Sequence, residues 1–195
     1  MKKTMIDETA RALTDFTRCY CDAWLGKYGH PPASSELYTV PSPCVQESTE
    51  GRVFWLPQPF TLAKNLDAVE RALELRIQPS VVAWYTAQFA GDMEITVDEL
   101  SCTLLQTWSE DDFVRLQENL IGHLIMQRRL KLSPTLFIAT TPSEQEVISV
   151  CNLSGEVVLE QTGSKRRKVL SNHIIDFLYN IKYFNQFCGE RTVIL

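Results

Sequence analysis

Residues 104–130, LLQTWSEDDFVRLQENLIGHLIMQRRL, constrain the fold more than any other stretch of the chain. Leu104, Leu105, Gln106 and Thr107 read as a strand, which turns at Trp108 and Ser109 into a long helix. Ser109 has the hydroxyl of an N-cap, able to accept an orphan backbone N–H, and Glu110, Asp111 and Asp112 then occupy the positive end of the helix dipole. Phe113, Leu116, Leu120 and Leu124 follow at helical spacing. Roughly 22 residues at the standard rise make a rod of about 33 Å, long enough to span a small domain.

Charge read along the chain gives the second constraint. Between Arg76 and Arg115 there is no Lys or Arg, while Asp92, Glu94, Asp98, Glu99, Glu110, Asp111 and Asp112 supply seven carboxylates. The formal net charge is −5, so everything outside that window carries +2. If the strands and the helix start gather these groups, the domain presents one electronegative face, which orients a basic partner. The plainer alternative is a set of solvated acids scattered by the fold.

A chain of 195 residues is expected to form one domain, and 45% hydrophobic with 22% charged residues is an ordinary globular balance. A pI near 5.3 argues against a general nucleic-acid binder, which needs many cations on phosphate. The local exception is the basic run Lys165, Arg166, Arg167 and Lys168, read first as a solvated loop and second as a phosphate or lipid contact. Cys19, Cys21, Cys44, Cys102, Cys151 and Cys188 lack CxxC spacing and read as reduced cytosolic thiols. Asp7, Glu8 and Arg11 interrupt the N-terminal segment, so no secretory signal is expected. No apolar run reaches the roughly 18 residues a bilayer span needs, and membrane association is expected only through a partner or the surface.

Along the chain, Asp7 is expected to cap a first helix carrying Ala10, Leu13, Phe16 or Thr17, Tyr20 and Trp24 on one face and ending at Gly26 and Gly29. The prolines of residues 30–43 predict an extended loop. Residues 52–56 predict a short strand, and Asn65 caps a helix through Leu75. Residues 80–89 fit helix and strand almost equally, and Val82, Tyr85 and Phe89 tip the reading to helix. Residues 93–97 and 100–107 predict a hairpin, residues 136–139 a buried strand, and residues 146–151 and 156–160 a second hairpin turning at 152–155. A loop over 161–168, a closing helix over 171–183 and a loosely held tail over 184–195 complete the reading. Helices first, then hairpins broken by one long helix, predict an α+β domain over residues 1–183 with an antiparallel or mixed sheet backed by helices.

Asp111 and Asp112 with His123 are the only acid–base candidates, and a hydrolase using them needs all three to converge. The helix dipole explains both aspartates more simply, with Arg115 four residues beyond Asp111 as an ion-pair partner. Cys19 and Cys21 diverge on a helix and are not expected to chelate a metal. Trp108 at a strand-to-helix corner beside carboxylates is an interface candidate, although tryptophans are more often core. Phosphate-binding glycine loops and nucleophile elbows are absent, and no cofactor is expected.

Several long segments are distinctive: DFTRCYCDAW (15–24), ELYTVPSPC (36–44), WLPQPF (55–60), QFAGDM (88–93), LLQTWSEDDF (104–113), QENLIGHL (117–124), TLFIATT (135–141) and VISVCNLSGEV (147–157). In this order they resemble the Syd family of SecY-interacting proteins from gammaproteobacteria, within the broader SUKH superfamily. The resemblance implies a SUKH-like α+β fold and a cytosolic, non-enzymatic protein, peripheral on the cytoplasmic side of the inner membrane. It implies docking on SecY of the SecYEG translocon, as a regulator or quality check on uncomplexed or abnormal SecY. An electronegative surface meeting basic SecY loops agrees with the charge track, since cytoplasmic loops of membrane proteins are rich in Lys and Arg. The partner-binding residues expected from the acid-rich window are Asp92, Trp108, Glu110, Asp111 and Asp112. The alternative within the superfamily is an immunity protein that blocks a toxin.

Overall fold

Leu13, Phe16, Thr17 and Tyr20 recur every three or four positions, and they form the buried stripe of the first helix, α1 (Lys2–Tyr28). The computed structural model describes residues 2–184 and 186–187. α1 starts before Asp7, which therefore sits inside the helix instead of capping it, because residues 2–6 hold no breaker. Gly29, at φ +74, ends it, its N–H reaching back to the Leu25 carbonyl at 2.9 Å.

The proline-rich loop carries a two-residue strand, β1 (Ala33–Ser34), and is followed by β2 (Val45–Thr49) and β3 (Arg52–Trp55). These make a small antiparallel sheet in the order β1-β3-β2. β2 escapes a reading by periodicity because its three central residues are all exposed. β4 (Gln58–Pro59) precedes α2 (Asp67–Leu73), whose first N–H is taken by Asn65 Oδ1 at 3.2 Å. α3 (Pro79–Thr86) starts on Pro79, and the chain then straightens into β5 (Gln88–Phe89), which pairs with β4. The helical reading of 80–89 holds to Thr86.

β6 (Met93–Val97) and β7 (Leu100–Leu104) form the expected hairpin and lead into α4 (Glu110–Arg129). β8 (Thr135–Thr140), β9 (Glu146–Cys151), β10 (Val157–Gln161) and β11 (Arg167–Ser171) follow, and Gly155 at φ +81 closes the turn between β9 and β10. The chain ends in α5 (Ile174–Asn180), β12 (Lys182–Tyr183) and β13 (Gln186–Phe187). The main sheet has eight antiparallel strands in the order β11-β10-β9-β8-β7-β6-β12-β13. It curls far enough that Lys168 on edge strand β11 meets Asp98, in the turn between β6 and β7, at 3.1 Å.

Two expectations fail here for related reasons. Residues 167–171 are an edge strand, disguised by a charge run that suits an exposed edge. The closing helix spans 174–180, shorter than 171–183, because Lys182 pairs with Thr96 as a strand. Phe184 stacks on Tyr20 at 6.2 Å and meets Trp24 edge-on at 5.6 Å. The remainder of the segment expected as a tail, apart from β13, lies outside the described residues.

α1 packs on α3 and α5, and α4 packs on β8 and α2, so a single core runs through Leu13, Phe16, Val81, Trp84, Leu104 and Leu136. This is an α+β domain with an antiparallel sheet, as the order of elements predicts.

Candidate functional site

α4 starts where its cap dictates. Ser109 takes extended backbone and its Oγ accepts the Asp112 N–H at 3.2 Å, while the Asp112 carboxylate turns back to accept the Trp108 N–H at 2.8 Å. This reciprocal cap resembles a capping box displaced by one residue, and it fixes the Asp112 side chain at the corner. Glu110 and Asp111 remain exposed on the first turn.

Trp108 points inward. Only 3% of it is accessible, its Nε1 donates to the Val40 carbonyl at 3.1 Å, and its own carbonyl accepts from Ser42 Oγ at 2.6 Å. The indole clamps the 36–44 loop onto the strand–helix corner, so it is structural and offers no ring to a partner.

Asp92 reaches the same corner from the QFAGDM segment. Ala90 N–H donates to the Thr107 carbonyl at 3.0 Å, and Asp92 Oδ1 accepts the Gln106 N–H at 2.8 Å. Behind it, buried Gln88 Nε2 donates to Gln106 Oε1 at 3.1 Å and to Thr17 Oγ1 at 2.7 Å. Asp92 is exposed at its surface, yet protein packs densely around the carboxyl. That crowding pushes its carboxyl up to about 7 against the pull of the Gln106 hydrogen bond, with Asp112 and Glu36 adding negative charge. The buried Tyr85 hydroxyl, which donates to the Phe137 carbonyl at 2.6 Å, is raised by burial first and then by the charges of Asp92 and Asp112. Glu36, Asp92 and Asp112 therefore act on one corner, with Glu110 and Asp111 beside them.

The seven acids of the charge window do not form one patch. β6 leads away from Asp92 to Asp98 and Glu99 in the turn at its far end, about 20 Å off at the strand rise of about 3.3 Å per residue. Asp98 is engaged there by Lys168 at 3.1 Å. Arg115 lies 3.9 Å from Asp112 Oδ1, not on Asp111 as the i,i+4 spacing suggests, and so exposed a pair neutralises little. Glu36 was outside the window altogether; its only signal is its place in ELYTVPSPC.

The acid–base trio fails on geometry. His123 is eleven residues beyond Asp112, about 16 Å along the helix. Its Nε2 meets Thr135 Oγ1 at 3.1 Å and Glu160 Oε1 at 3.7 Å instead. Burial lowers the His123 pKa, Glu160 opposes that and Arg167 adds to it. Among the described residues no helix is long and apolar enough to cross a membrane.

Fold and site together define a single-domain α+β protein with an acidic corner at the start of its longest helix. The chain belongs to the Syd family: the family described as Syd protein (SUKH-2) matches residues 10–182. Protein Syd of Erwinia tasmaniensis is 65% identical over 174 residues, covering 89% of this chain and 94% of that protein. Protein Syd of Escherichia coli is 57% identical over 178 residues, 91% of this chain and 98% of that protein, and Protein Syd of Pectobacterium carotovorum is 55% identical over 177 residues, 91% and 97%.

Proposed function

We propose that this chain captures the basic cytoplasmic loops of SecY in the SecYEG translocon, as a regulator or quality check on uncomplexed or abnormal SecY. The observation that carries the reading is the convergence of Glu36, Asp92 and Asp112 beside exposed Glu110 and Asp111. Basic loops are what the cytoplasmic side of a polytopic membrane protein offers. The chain performs no chemistry in this reading and sits on the inner membrane peripherally, through SecY. Glu110→Lys with Asp111→Lys is expected to weaken capture of purified SecYEG about tenfold without unfolding the domain, lowering Tm by only a few degrees through the helix dipole, and wild-type capture is expected to fade as salt rises. Unchanged capture in both measurements sinks the reading.

Asp92 adds a pH signature with a definite sign. Its carboxyl is raised to about 7, so it becomes a full anion only as pH climbs through that value. Capture is therefore expected to strengthen from about pH 6 to about pH 8, and Asp92→Asn to flatten the profile. A profile of the same steepness in Asp92→Asn assigns the titration to another group.

A further inference from the structure

The end of α4 opposite the acidic corner is as basic as the corner is acidic. Arg128 and Arg129 close the helix and Lys131 follows it at φ +54. The turn between β10 and β11 brings Lys165 and Arg166 to the same place, since Gly163 lies against the tip of Leu130 and Arg167 Nη2 donates to the Ser133 carbonyl at 2.6 Å. Lys131, Ser133, Lys165 and Arg167 line a recess of about 360 Å³ with Leu132, and no acidic side chain is among its walls. Some acids lie near this end: exposed Glu74 follows Leu73, whose carbonyl accepts from Arg128 Nη2 at 2.6 Å, and others are engaged by cations. Glu160 is held by Arg167 at 3.1 Å and Asp98 by Lys168 at 3.1 Å, while Glu144 lies in the adjacent turn and Glu146 opens β9, where the Gln145 carbonyl accepts the Thr162 N–H at 2.8 Å.

Apolar side chains project beside these cations. Leu130 is 50% exposed and Leu153 is 72% exposed, the latter next to Arg128 and Lys131 on the wall of a second recess. A solvated basic face gains nothing from two bare leucines. A surface that meets headgroups with its cations and sinks short apolar tips among the acyl chains uses both. Nucleic acid fits less well, because among the described residues no aromatic platform stands among the cations for bases to stack on.

We propose that this basic pole, built from Arg129, Lys131, Lys165 and Arg166 around Leu130 and Leu153, docks directly on the anionic phospholipid surface of a membrane. The contact needs no protein partner, and it is independent of the acidic corner at the other end of a helix about 30 Å long. The two poles thus have separate tests.

The full chain is centrifuged with vesicles of phosphatidylcholine containing roughly a third phosphatidylglycerol, and with vesicles of phosphatidylcholine alone, at low ionic strength. Cosedimentation with the anionic vesicles only is expected. Lys165→Gln with Arg166→Gln should reduce it about thirty-fold, since each of the two cations is typically worth about fivefold near a charged bilayer. Leu130→Ser with Leu153→Ser should reduce it several-fold with the fold retained and Tm lowered by only a few degrees, and Glu110→Lys should not reduce it. Inorganic phosphate at millimolar concentration should leave vesicle binding intact. The proposal is overturned by absence of binding to anionic vesicles, by binding that neither double variant weakens, by complete competition from phosphate, or by tighter binding to a DNA duplex than to vesicles.

Discussion

Glu160→Ala is expected to lower unfolding stability by about 3 kcal/mol, a large share of what a domain of this size typically has. Glu160 is 3% exposed, in the interior that α4 covers. Its Oε1 accepts the Thr135 hydroxyl at 2.5 Å and its Oε2 meets Arg167 Nε at 3.1 Å. Thr135 is tied in further, because Gln127 Nε2 donates to its hydroxyl at 2.6 Å and its own N–H donates to Gln127 Oε1 at 2.8 Å. Removing the carboxylate leaves a mostly buried guanidinium without its anion and a buried hydroxyl without its acceptor. Glu160→Gln keeps an acceptor and should lose roughly half as much. Glu160→Ala combined with Arg167→Ala should cost less than the sum of the single changes, since the second removes the charge the first strands. Chemical denaturation measures all three, and strict additivity contradicts this account.

The same network fixes a sign for pH. Burial holds the His123 pKa below its ordinary value, so the unfolded chain takes up the proton more readily than the folded one. The neutral ring's contribution is complete above the unfolded value near 6.5 and is lost as pH falls below it. Glu160 works against that depression. Its removal should therefore make the loss of stability below about pH 6.5 steeper than in the parent chain, and Asp92, common to both proteins, cancels from the difference.

What could be read from the sequence was what neighbours in the chain decide. The start of α4 is set by Ser109 and the three acids behind it, all within one turn, and it stands where they put it. The hairpin of β9 and β10 is set by residues 152–155, Gly155 at φ +81 among them. Where distant segments decide, the sequence misleads. Trp108 looked exposable beside its carboxylates, but the loop carrying Val40 and Ser42, more than 60 residues earlier, closes over it. The acids of the window share one stretch of the chain, residues 92–112, yet an extended strand carries neighbours apart as surely as a turn brings them together, and Asp98 went to Lys168. Glu36 joined the corner from that same early loop. β11 was hidden because its charges serve as protection for a sheet edge. The acidic corner was thus mostly legible: Asp92 and the helix-borne acids stood in the charge window, and Glu36, brought in by the early loop, did not.

Gly91→Ala is the second change with a large expected cost, and its reason lies in the QFAGDM segment. A Cβ at position 91 would stand 2.4 Å from Trp55 Cε2 and 2.6 Å from Trp55 Nε1, distances no relaxed structure tolerates. The indole cannot retreat easily, since it is 1% exposed and stacks on Tyr20 with centroids 6.5 Å apart. The backbone cannot retreat easily either. Ala90 is pinned to Thr107 on one side and Asp92 to Gln106 on the other. About 3 kcal/mol is expected, or a fall in Tm of about 6–12 °C. On a Trp55→Leu background, already weakened by its own cavity, the same alanine should cost little, because the ring it would strike is gone. Strain that is not absorbed by the ring moves residue 92 off the Gln106 N–H, so partner capture should drop further than the unfolded fraction explains. A Gly91→Ala protein with parental Tm shows that the ring yields freely, and Gly91 is then not what seats Asp92 at the corner.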